Sequence, residues 1–120
     1  MTFQTLHIGK KGEELATKHL LNYRYTVKDR NFRTRFGEID VIAEKDNIIY
    51  FIEVKTRVGV SKGKPYEAVD RRKLQHLKNA SELYVLKNKL KNYKLSLMVI
   101  SIILKQDLTI ESLKSYSIDE

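Results

Sequence analysis

The sequence predicts an α/β protein, a mixed β-sheet flanked by helices, with elements in the order α-β-β-β-α-β-β. Three observations carry that reading. Ile8–Tyr23, and a stretch from about Tyr66 or Asp70 to about Lys87, space apolar residues at the helical period. Glu38–Ala43 and Ile48–Thr56 alternate in character and are rich in Ile, Val and aromatic residues, as strands are. Leu95–Leu104 is a nearly continuous apolar run, the mark of a strand buried on both faces.

The elements follow in order. In the first helix Ile8, Leu15, His19 and Leu20 share a broad stripe with Gly12 and Ala16. Arg24–Phe32 reads as a weaker strand, with Tyr25 and Val27 on one side. Asp46-Asn47 separates the two strong strands, and both residue types tolerate the left-handed backbone of a tight hairpin turn. Arg57–Pro65 is a loop holding Gly59, Gly63 and the only proline. In the second helix Leu74, Leu77, Ser81 and Tyr84 keep the helical spacing beside Ala80. Lys105-Gln106-Asp107 turns the chain into a last strand, Leu108–Leu113. The 120 residues fit one domain, 1–120, with 113–120 expected as a frayed tail.

Composition narrows the chemistry. The chain has no cysteine, which excludes disulfides, thiol catalysis and cysteine-ligated metals and suits a reducing compartment. A formal net charge of +8 suits an anionic partner, though charge alone does not separate a nucleic-acid binder from a merely soluble basic protein. Met1–Lys11 lacks the apolar stretch of a signal peptide, and the Leu97–Leu104 run is too short to span a bilayer. A cytoplasmic protein without a membrane partner is expected. There is no phosphate-binding loop, dinucleotide fingerprint or serine elbow, and His7, His19 and His76 lack metal-ligand spacing. Tyr23, Tyr25 and Phe32 suit core packing better than base stacking.

The strong hairpin carries the informative pattern. With Asp46-Asn47 as a two-residue loop, Lys45 faces Ile48, Val41 faces Ile52, Asp40 faces Glu53 and Glu38 faces Lys55. One side becomes Ile39, Val41, Ala43, Tyr50, Ile52 and Val54, and should pack on a helix. The other carries Glu38, Asp40, Glu53 and Lys55, with Ile42 and Phe51 nearer the turn. Like charges facing across a ladder destabilise it, and a divalent cation would resolve the conflict between Asp40 and Glu53. The plainer alternative is a half-solvated hairpin on which Lys55 pairs with Glu38 and Glu53, and the pattern alone favours it.

Gly37-Glu38-Ile39-Asp40 followed by Glu53-Val54-Lys55-Thr56-Arg57 resembles the GEID…EVKTR signature of the YraN-like bacterial proteins. The resemblance extends to Gly9, Gly12-Glu13, Ala16 and Asn31-Phe32-Arg33 upstream, and to Pro65, Ala68-Val69, Lys73 and Ala80 downstream. That family is similar to restriction-endonuclease-fold proteins, particularly archaeal-type Holliday junction resolvases. The resemblance implies a restriction-endonuclease-like fold and a PD-(D/E)XK-type site. Asp40 and Glu53 would ligate Mg2+ or Mn2+ with the Val54 carbonyl, Lys55 would act on water or phosphate, and Glu13 would be the helical acidic residue. The chain departs from the family at Lys94-Leu95-Ser96, where relatives carry an Arg-Phe-Asp-like stretch. Gln75 could match a glutamine of related nucleases, but a solvated helix residue is the better reading.

Arg33, Arg35, Arg57, Lys62, Lys64, Arg71, Arg72 and Lys73 are the candidates to hold a nucleic-acid backbone. Lys87, Lys89, Lys91 and Lys94 read as a solvated helix end. The expected function is a metal-dependent endonuclease acting on structured or branched DNA. The alternative is a non-catalytic nucleic-acid-binding module on the same fold, and a basic protein-binding scaffold is a weaker third. A homodimer would suit a symmetric junction, and the sequence leaves it open.

Overall fold

The computed structural model describes residues 3–59 and 71–118. Its elements are α1 (Phe3–Asn22), β1 (Thr26–Thr34), β2 (Gly37–Lys45), β3 (Ile48–Val58), α2 (Arg71–Lys87), β4 (Lys94–Leu104) and β5 (Ile110–Ser117). The strands form one sheet in the order β1-β2-β3-β4-β5. β3 and β4 run parallel, joined across α2, and the other neighbours are antiparallel. The sheet is therefore mixed, in the element order expected.

Each helix covers one face. Ala16 and Leu20 of α1 pack on Val41, Ala43, Ile52, Met98, Ile100, Ile102 and Leu104. Leu77, Ala80 and Tyr84 of α2 pack on Ile39, Ile42, Ile49, Phe51 and Leu97. β4 feeds both clusters, which is why its sequence is apolar without alternation. Close approach sets the seat of α1. A Cβ at Gly12 would overlap the Thr56 hydroxyl and stand 2.8 Å from Thr56 Cβ, so the helix lies almost on the β3 backbone there.

The hairpin forms as its turn residues demand. Asp46 and Asn47 both have positive φ, 52° and 67°, the pattern of a two-residue primed turn. The register runs from Lys45↔Ile48 to Val41↔Ile52 as derived from the sequence.

Three expectations need correction. Ile39 does not share a face with Val41; it packs in the α2-side cluster. The alternation slips at Asp40, where β1 and β2 omit the Asn31–Asp40 rung and Asn31 takes φ 53°. Nor does the chain fray from 113. Leu113 pairs with Ile102 and Ser117 with Met98, and Ile118 N–H donates to the Leu97 carbonyl at 2.8 Å. The last strand also starts later than expected, because Leu108 is spent in the turn at φ 67°. Asp107 holds that turn by accepting from Thr109 N–H and Oγ1 at 3.1 and 2.6 Å.

Among the described residues no helix is long and apolar enough to cross a membrane.

Candidate metal centre

The site begins where the central hairpin stops pairing. Both β2 and β3 continue beyond the Val41–Ile52 rung, yet they form no further rung together. β3 stays with β4 as far as Val58↔Leu104, while β2 stays with β1 as far as Gly37↔Thr34. The result is a fork in the sheet. Continued alternation would give the Val54 N–H to β2 backbone. Instead Val54 N–H donates to Asp40 Oδ2 at 2.7 Å, so a carboxylate bridges the fork. The rungs Asp40–Glu53 and Glu38–Lys55 expected from the register are absent.

Acidic groups crowd this bridge. Carboxylate oxygens of Glu13, Glu38 and Asp40 lie within 4.8 Å of one another. Burial, then Glu53, Glu13 and Glu38, push the Asp40 pKa up to about 7, against the pull of the Val54 N–H. The conflict seen in the sequence is therefore real, and three devices moderate it. Asp40 gains proton affinity. The Asn31 side-chain amide donates to Glu13 Oε1 and Glu38 Oε1, both at 2.9 Å. Glu53 Oε1 accepts from Lys55 Nζ at 3.2 Å and Lys73 Nζ at 3.1 Å. Burial and the neighbouring Lys73 pull the Lys55 pKa below its ordinary value.

The fork opens to both faces of the sheet. An open cleft of about 1100 Å³ on the α1 side is lined by Glu13, Asn31, Glu38, Asp40, Glu53 and Lys55 among others. A smaller one of about 250 Å³ on the α2 side shares Glu38, Asp40 and Glu53 and adds Phe36, Lys73 and His76. The acidic cluster is thus reached from two directions.

Asp40, Glu53, Lys55 and Glu13, the four expected catalytic residues, line one cleft together with Val54 and Arg57. The binding candidates divide. Arg33 Nε pairs with Glu38 Oε2 at 3.1 Å, with its side chain 85% exposed. The Arg35 guanidinium stands 4.9 Å from the Phe36 ring centroid. Arg71 and Arg72 are exposed at the start of α2. Lys73, another of the backbone-binding candidates, pairs with Glu53 at the acidic centre, while Lys62 and Lys64 lie outside the described residues.

Two contributors carry no site role in the sequence reading, although Glu38 stands on the charged side of the hairpin and Asn31 falls in the family pattern. Glu38 stands on the expected strand, but simple register gives it to Lys55; it goes to Asn31 and Arg33 instead. Asn31 carries only one local signal, the tolerance of asparagine for positive φ. Ser96, where the family pattern is lost, is buried opposite Tyr50, three rungs before the Glu53–Val99 pair. Gln75 donates to Asn79 on the exposed surface of α2.

The donor set is all oxygen: carboxylates at an open cleft, with no thiol in the chain. Such a set fits a hard divalent cation such as Mg2+ or Mn2+.

The fold and this cluster define a mixed α/β protein with an acidic centre at a fork in its sheet. Residues 12–104 match the uncharacterised protein family UPF0102, and the chain belongs to that family. Every residue placed in the acidic centre falls within the match. Relatives called UPF0102 protein include one from Syntrophomonas wolfei, 49% identical over 65% of this chain and 68% of its own. Another, from Persephonella marina, is 38% identical over 79% of this chain and 82% of its own. A third, from Dictyoglomus thermophilum, is 40% identical over 82% and 84% respectively.

Proposed function

We propose that the protein is a divalent-metal-dependent nuclease that hydrolyses phosphodiester bonds in structured or branched DNA. The observation that carries this reading is the Asp40 carboxylate, bridging the fork to Val54 with Glu13, Glu38 and Glu53 around it and Lys55 alongside. An acidic cluster repels a polyanion unless a cation stands between them. A module that only bound nucleic acid would gain nothing from it.

Asp40 and Glu53, with the Val54 carbonyl, would hold Mg2+ or Mn2+, and Glu13 and Glu38, whose carboxylates lie beside Asp40, would supply further donors. When bound, the cation acidifies water and neutralises phosphate charge. The Val54 N–H fixes the Asp40 carboxylate at the fork before any ligand arrives. The Lys55 ammonium lies close enough to Glu53 to be aimed by it, towards water or towards charge developing on phosphate. Arg57 lines the same cleft and, with exposed Arg35, Arg71 and Arg72, would hold the backbone without reading sequence.

The test is Mn2+ titration followed by EPR, with a short branched duplex present, alongside a cleavage assay on the same duplex. Wild type should bind Mn2+ and cleave. Asp40→Asn and Glu53→Gln should lose binding, and Lys55→Ala should keep binding but fall roughly a hundredfold in rate. Mn2+ binding that is absent, or indifferent to both carboxylate changes, would sink the metal-nuclease reading and favour a non-catalytic nucleic-acid-binding module.

A further inference from the structure

Glu53 carries more positive charge than one carboxylate needs. Two ammonium groups meet on the same oxygen, Oε1: Lys55 from β3 at 3.2 Å and Lys73 from α2 at 3.1 Å. The two are not equivalent. Lys55 stands on the same strand as its partner, and its side chain is only 22% exposed. Lys73 reaches Glu53 from a helix across the smaller cleft, and its side chain is 47% exposed. A divalent cation bound to that oxygen would compete with the two ammonium groups for its lone pairs and, with twice their charge, repel both at short range, so one ammonium would be displaced. The more exposed lysine, on a long stem from a separate element, is the one able to move.

We propose that Lys73 is an exchange residue: it neutralises Glu53 until a divalent cation takes that carboxylate, then turns to the phosphate group from the α2 side, opposite Lys55. This rests on the nuclease reading above and adds to it a second lysine and an order of events. A displaced ammonium in the small cleft has Glu38, Asp40, His76 and Phe36 around it. Glu38 already accepts from Asn31 and Arg33, so once the cation has engaged Asp40 an incoming phosphate is the anion that Lys73 can take without breaking another pair.

The inference predicts two effects of opposite sign, which a merely structural lysine would not give. Lys73→Met should bind Mn2+ about two- to fivefold more tightly, the range a part-exposed ion pair is worth. At saturating Mn2+ it should cleave the branched duplex roughly tenfold or more slowly, as expected when one charge-assisted hydrogen bond to phosphate is removed. Lys73→Arg, which keeps the charge, should restore both towards wild type. Thermal unfolding checks that each variant is folded. Weaker or unchanged Mn2+ binding by a folded Lys73→Met, in a wild type that binds and cleaves, overturns the exchange and leaves the nuclease reading intact. A wild type that binds no Mn2+ overturns both. A wild type that binds Mn2+ without cleaving, but whose Lys73→Met binds it no more tightly, overturns the exchange by its own readout.

Discussion

Burial and three neighbouring carboxylates let Asp40 keep a proton up to about pH 7 that an exposed aspartate would release near 4. The proton affinity is higher in the folded chain than in the unfolded one, so this group favours folding most at low pH. Its contribution is lost as pH rises from about 4 through about 7 and stays lost above that. In chelator, wild type should therefore drop by roughly 5 °C or more in Tm between about pH 5 and pH 8. Asp40→Asn, isosteric and never charged, should be flatter over that interval and more stable than wild type at its upper end. Parallel pH profiles for the two proteins would show that the strain lies elsewhere. At this scale the sequence is half informative. Strand alternation, which is local, places Asp40, Glu53 and Lys55 on one side, but it fits a half-solvated hairpin as well, and the GEID…EVKTR resemblance is what singles them out. The partners of Glu38 are not legible, because Asn31 and Arg33 come from β1 across a broken rung that register arithmetic cannot foresee.

At the scale of elements, the hairpin is readable to the residue from its turn to the Val41–Ile52 rung, and what lies beyond is not. Turn chemistry at Asp46-Asn47 and alternation on both sides fix the same register, so two local signals agree. Ile39 changes faces where the β1–β2 ladder omits the Asn31–Asp40 rung, a tertiary event. β5 runs to Ser117 because β4 offers an unpaired edge there, and nothing in residues 113–117 alone announces that partner. The seat of α1 is likewise a property of two elements. Gly12 is needed because Thr56 stands where its Cβ would be. Gly12→Ala should force α1 off β3, destabilise the protein by about 1–3 kcal/mol, and carry Glu13 away from the acidic centre. Thr56→Ala in the same chain should recover part of that stability, since the overlapping hydroxyl goes but the Cβ at 2.8 Å remains. Denaturant unfolding of the two single variants and the double one measures the coupling. Simple additivity would mean that the helix is not seated on Thr56.

Across the whole molecule, two electrostatic features oppose each other. The chain carries a formal net charge of +8, while four of its 15 acidic residues, Glu13, Glu38, Asp40 and Glu53, gather at one fork. At long range the protein should attract a polyanion, and at the fork it should reject a phosphate until a cation arrives. Composition reveals the first feature, but only the fold shows how local the second is. Binding of a branched duplex should accordingly weaken steeply with salt. It should tighten when Mn2+ is added at constant ionic strength, with Asp40→Asn removing that gain and leaving the salt slope in place. Arg71→Gln with Arg72→Gln should do the reverse. It should keep the Mn2+ gain and reduce the slope of log K against log salt by roughly 0.9 for each phosphate no longer neutralised. Fluorescence anisotropy over a salt series, with and without Mn2+, measures both quantities on the same samples. If one set of substitutions moved both together, attraction and acidic centre would be a single feature. Separate responses are what a basic surface surrounding a distinct metal site requires.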